Sequence, residues 1–189
     1  MEKNRLEAFS DGVIAILITI MVLELKVPHS PNWSALAELR PVFLAYVLSF
    51  VYLGIYWNNH HHLLKAAERV SGGVLWANLH LLFWLSLVPF ATAWMGENHF
   101  AKVPTVFYGL MLLGASVAYT ILLISLLRVN GPESRLARAV GRDWKGRIST
   151  AFYVVAIPLT YVHEYIGGAI YALVALIWLV PDPRIERTL

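Results

Sequence analysis

Arg5-Leu6-Glu7-Ala8-Phe9-Ser10-Asp11-Gly12-Val13-Ile14-Ala15-Ile16-Leu17-Ile18-Thr19-Ile20-Met21-Val22-Leu23-Glu24-Leu25 opens the chain. From Asp11 to Leu23 no further charge interrupts it, and Lys26 and Pro28 stop it. The stretch from Glu7 to Leu25 is long enough for a helix crossing a hydrocarbon core ~30 Å thick. It begins within ten residues of Met1, lacks a small-residue cleavage site and is followed by more apolar blocks, so it reads as a retained span. Its start is unusual, because Arg5, Glu7, Ser10 and Asp11 fall in the first two turns. A charge at the centre of a span costs about 2.5–3.5 kcal/mol on insertion scales, so such residues pair with one another or face protein. Interfacial charges at a Ser/Asp helix start are one account. A buried polar network holding this helix against its neighbours is the other.

The same pattern repeats outward from this segment. Further spans are expected at 41–64, 74–95, 103–127, 148–165 and 167–180, with Gly167-Gly168 as the turn into the last. Pro89 and Pro158, inside spans, predict kinks that neighbouring helices accommodate. Composition agrees: 58% of the 189 residues are hydrophobic and 14% charged, against roughly 25% charged in a soluble domain. No strand-length alternation appears, so the fold class is an all-α integral membrane protein with six transmembrane helices in one unit, 1–189. Cysteine is absent, which removes disulfides and thiolate chemistry. No internal repeat or separate domain is visible.

Orientation follows from the fifteen lysines and arginines. Lys3, Arg5, Lys65, Arg69, Arg128, Arg135, Arg138, Arg142, Lys145, Arg147, Arg184 and Arg187 fall on the amino-terminal side. Lys26, Arg40 and Lys102 fall on the other. This bias puts both termini in the cytoplasm, in agreement with an even number of spans. The polar stretch Asn130–Gly146 is expected to set topology, with a short amphipathic helix near the headgroups.

Ile16, Ile20, Leu23 and Val27 share one helical stripe, with Thr19 at its border. Spacing alone gives such a stripe no meaning in lipid. The motif around it does. Arg5…Phe9-Ser10-Asp11-Gly12-Val13…Ala15-Ile16…Thr19…Leu23-Glu24 resembles the Arg-x-x-x-Phe-Ser-Asp signature of the lysosomal potassium channel family, transmembrane protein 175, and its prokaryotic homologues. Trp57-Asn58-Asn59-His60-His61-His62, Leu75-Trp76-Ala77-Asn78-Leu79 and Val88-Pro89-Phe90 resemble that family's next two helices. Matches are identifiable over residues 5 to 95.

The resemblance implies a modestly potassium-selective cation channel. It implies a homotetramer with the first helix lining a central pore, in a prokaryotic plasma membrane. It implies an apolar constriction at Ile16, Ile20 and Leu23, with Thr19 contributing to selectivity. It implies a bracing polar network of Arg5, Phe9, Ser10 and Asp11 with a histidine of the second span and Asn78 of the third. Spacing leaves His60, His61 and His62 open for that role, and His61 is the choice carried forward. Partners are then the lipid bilayer, potassium and other monovalent cations, and further copies of the chain, with no nucleic acid. No cofactor is implied beyond the permeant potassium ion, and no carbonyl-loop filter is present.

Rival readings are weaker. Three consecutive histidines point about 100° apart on a helix and cannot converge on one metal within a chain. His163-Glu164-Tyr165 offers a titratable helix end. Trp57, Trp76, Trp94 and Tyr165 suit an aromatic belt. A secondary transporter would show repeats and midplane charge, and a proton-permeable leak is the other alternative. An enzyme would need a nucleophile with its base, or converging ligands, and none is visible.

Overall fold

The structure, a computed structural model, describes residues 3–141 and 143–179. Expectations resting on Arg142, Val180, Pro181-Asp182-Pro183, Arg184 and Arg187 lie outside them. The described residues are helical throughout, with short connections. In order they are α1 (Lys3–Leu23), α2 (Trp33–Glu38), α3 (Arg40–Ala66), α4 (Gly72–Ser86), α5 (Val88–Glu97), α6 (Lys102–Asn130), α7 (Arg135–Val140), α8 (Trp144–Val162) and α9 (Glu164–Leu179).

Among the described residues, four helical stretches are long and apolar enough to cross a membrane: Lys3–Leu23, Arg40–Ala66, Gly72–Glu97 and Lys102–Asn130. The third is interrupted. Pro89 has no N–H to donate, so the ladder breaks at Leu87 and restarts as α5 with proline in its first turn. Pro158, by contrast, stays inside α8. The turn before α9 sits at His163, the C-cap of α8, and not at the two glycines. Gly167 is buried inside α9 against Thr160, so the expected Gly167-Gly168 turn is corrected. α1 ends at Leu23, which leaves Val27 in the following loop and off the stripe assigned to it. The short helix in 130–146 is α7, capped by Ser134 accepting from the Ala137 N–H at 3.1 Å. α2 was not expected.

α4 lies along α6, α6 against α8, and α8 against α9, while α3 packs on α5 and α1. Polar clamps fix the amino-terminal end. Lys3 Nζ donates to the carbonyls of Leu64 and Ala67 at 3.2 and 3.1 Å, joining the start of α1 to the end of α3. Asn130 Oδ1 accepts from the Glu68 and Arg69 N–H groups at 2.8 and 2.9 Å. At the far end α3 and α5 approach closely: a Cβ on Gly96 would stand 2.8 Å from the Val42 Cα. The core between these ends is aromatic. Tyr52, Tyr108, Tyr153 and Tyr171, one each from α3, α6, α8 and α9, are fully buried with neighbouring ring centroids 5.8–6.5 Å apart.

Candidate functional site at helix α1

α1 has two faces. Leu6, Ser10, Ile14, Leu17 and Met21, at steps of four, four, three and four, are buried against the rest of the chain. The opposite face meets nothing. Phe9, Ile16, Ile20 and Leu23 are 53%, 57%, 40% and 78% exposed. Thr19 is exposed beside them, its hydroxyl donating to the Ile16 carbonyl at 2.9 Å. Gly12 leaves a gap on the same side, where an added Cβ would find open space.

Behind the buried face runs a polar seam. Asn78 of α4 donates from Nδ2 to Ser10 Oγ at 2.9 Å, and Ser10 donates to the Leu6 carbonyl at 2.8 Å. The Asn78 Oδ1 lies 2.7 Å from His60 Nε2. With the amide donating to Ser10, its oxygen accepts from His60, which sets the proton on Nε2. All three side chains are buried. The seam thus ties α1, α3 and α4 together.

The histidine in that seam is His60, which corrects the choice of His61. α3 buries Ser49, Tyr52, Leu53, Tyr56, His60, Leu63 and Leu64, a helical stripe on which residue 60 falls and 61 does not. His61 is on the exposed side, stacked on Trp57 with centroids 6.1 Å apart. Trp57 in turn donates from Nε1 to Asp11 Oδ1 at 3.0 Å. Asp11 is therefore braced by an indole that sequence reading had assigned to an aromatic belt. Arg5 is exposed and makes no hydrogen bond or ion pair with another described residue. Glu7 pairs with Lys3, 3.7 Å away, and not with Arg5. No group of three or more His, Asp or Glu among the described residues is arranged to hold a metal.

One face of α1 is thus fixed by a buried polar seam and the other is left bare. Residues 5–89, which contain the whole of this site, match the family model described as the endosomal/lysosomal potassium channel TMEM175. A protein of Chryseobacterium sp. strain P1-3, named a potassium channel, is 55% identical over 189 residues. The match covers 100% of this chain and 98% of that relative. The chain belongs to the TMEM175 family.

The likeness to TMEM175 proteins extends to the fold. The crystal structure of a lysosomal potassium-selective channel TMEM175 homologue from Chamaesiphon minutus matches with a TM-score of 0.83 at 28% identity. The match covers 95% of this chain and 97% of that one. A chicken TMEM175, named an endosomal/lysosomal proton channel, is 39% identical over 87 residues, 38% of this chain and 17% of the relative.

Proposed function

We propose that this protein is a modestly potassium-selective cation channel whose pore is lined by α1 from four copies. The observation carrying this reading is the bare apolar face of α1 on a helix whose other face is locked in place. Ile16, Ile20 and Leu23 would then stack as successive apolar rings. Such rings offer no ligand to replace an ion's water, so selection rests on width and dewetting, with Thr19 supplying oxygen between them. Ser10, Asn78 and His60 hold the register of the rings, and Trp57 holds Asp11. No cofactor takes part; the potassium ion is cargo.

α8 and α9 complete six membrane crossings in this reading. At 19 and 16 described residues they reach about 28 and 24 Å. Both termini lie in the cytoplasm, in the plasma membrane of a prokaryote, as the lysine and arginine bias supports. A proton-permeable pathway is the second reading, favoured by the name of the chicken relative.

The test is potassium and sodium flux from liposomes holding the purified protein, beside an Ile16→Asn variant. A wetted ring should raise flux and weaken potassium preference, moving the reversal potential toward zero. An unchanged reversal potential would remove Ile16 from the constriction. Turnover no faster than a carrier's would replace the channel with a secondary transporter, and proton flux without potassium flux would select the second reading.

A further inference from the structure

The loop after α1 folds with α2 over the end of the bundle where α1 stops and α3 begins. Both helices are long and apolar enough to span, so this end lies level with headgroups. A groove of about 610 Å³ opens here, with Val27, Trp33, Leu36 and Phe43 among its walls. Val27 and Trp33 are 82% and 84% exposed, so the walls face outward and are not part of the protein core.

The groove's charged lining is Lys26 and Arg40, with no carboxylate. The acids of this region, Glu24, Glu38 and Glu97, line an adjoining recess of about 370 Å³ together with His99. Charge is therefore sorted across Lys26, which sits in both walls and bonds Glu97 at 2.6 Å. Arg40 is exposed, and its guanidinium makes no hydrogen bond or ion pair with another described residue. Among the described lysines and arginines, Lys26, Arg40 and Lys102 fall at this end of the molecule, and the first two border this apolar groove. The third, Lys102, donates to the Tyr161 carbonyl at 3.0 Å.

We propose that the groove binds an anionic phospholipid of the leaflet at this end. An acyl chain lies along Trp33, Leu36 and Phe43, and the phosphate meets the guanidinium of Arg40. Guanidinium presents paired N–H donors that match two phosphate oxygens. An indole and an arginine at headgroup depth are the side chains that the interface favours. The volume falls within the range of small-molecule sites, and apolar walls with one placed cation are their usual composition. The proposal rests on membrane insertion alone and stands apart from channel activity.

The experiment places the full chain in phosphatidylcholine nanodiscs with and without phosphatidylglycerol and adds photoactivatable phosphatidylglycerol carrying a diazirine on its acyl chain. Phosphatidylglycerol should raise Tm, and label should fall on the peptide containing 33–43. Arg40→Gln should cut that labelling about tenfold and leave Tm in pure phosphatidylcholine unchanged. Leu36→Glu, at a half-exposed wall position, should do the same by repulsion. Equal labelling by a phosphatidylcholine probe, label absent from 33–43, or full labelling of both variants would overturn the proposal. So would efficient cross-linking between copies through Trp33→Cys that excludes the probe, which would give the groove to a second copy.

Discussion

The molecule satisfies buried polar groups in two different ways. Beside α1, three small groups form a one-way chain, from His60 through Asn78 and Ser10 to the Leu6 carbonyl. In the bundle behind, tyrosines supply volume first and hydrogen bonds second. Tyr52 donates to the Tyr171 carbonyl at 2.7 Å and Tyr171 to the Thr105 carbonyl at 3.3 Å. Tyr153 donates to Tyr52 at 3.3 Å, and Ser49 shares a 2.9 Å bond with Tyr108. The tyrosine chains end on helix carbonyls, acceptors whose second lone pair is free. The seam at α1 has one amide at its centre serving both neighbours. The seam at α1 sets position, and the tyrosine cluster sets bulk. In lipid, apolar contact alone gives helices little reason to choose a register, so directional bonds between them carry that choice.

This contrast can be broken at the amide. Asn78→Leu keeps the volume but orphans the His60 N–H and takes from Ser10 the donor to its oxygen, leaving only the bond to Leu6. The expected loss is about 2–3 kcal/mol, a fall in Tm of roughly 4–12 °C, read by tryptophan fluorescence in one fixed detergent. Tyr153→Phe tests the other side. It removes a hydroxyl but leaves the ring packing, and Tyr52 still donates to the Tyr171 carbonyl, so the loss should be about 0.5–1.5 kcal/mol. A Tyr153→Phe loss as large as that of Asn78→Leu would erase the distinction between the two regions. The smallest effect belongs to the exposed Lys26–Glu97 pair, where water already screens the charges. Lys26→Met should leave Tm nearly unchanged at neutral pH. The Glu97 carboxylate, by hydrogen bond and charge, raises the Lys26 amine above the ordinary lysine value of 10.5. A raised folded value means that whatever the pair contributes is complete below the ordinary value. It is lost as pH climbs through the raised one. Any small difference between wild type and Lys26→Met should therefore vanish in strong alkali.

Much of this was legible in the chain. Long apolar runs set the helix order, and the charges of the opening segment marked α1 as the helix with polar work to do. Ser10 and Asn78 were named from motif resemblance, and the structure brings them within 2.9 Å. The sequence does carry a signal for His60 over His61. Counting back four and seven residues gives Tyr56 and Leu53, both on the buried stripe, whereas His61 counts back to Trp57 and Gly54 on the open side. Trp57, an indole near a span end, has a generic explanation as a belt residue, and a sequence does not say that an aspartate lies across from it. The tyrosine cluster is a property of four helices at once, with no local pattern to announce it. The break at Leu87 and the restart at Val88, one residue before Pro89, sharpen a kink expected from that proline. α2 is six residues long, too short for periodicity to register.

The Thr19 hydroxyl has a polarity as well as a position. Its single proton is committed to the Ile16 carbonyl, so the oxygen turns lone pairs, and no hydrogen, toward the open side of α1. A species arriving there meets a Lewis base flanked by hydrocarbon. For a cation shedding part of its water this is a replacement ligand of the right sign. For an anion of the same size it is a repulsive surface with no donor to soften it. The preference for positive charge would then need no acidic side chain, because an intrahelical bond one turn long already dictates which way that dipole points.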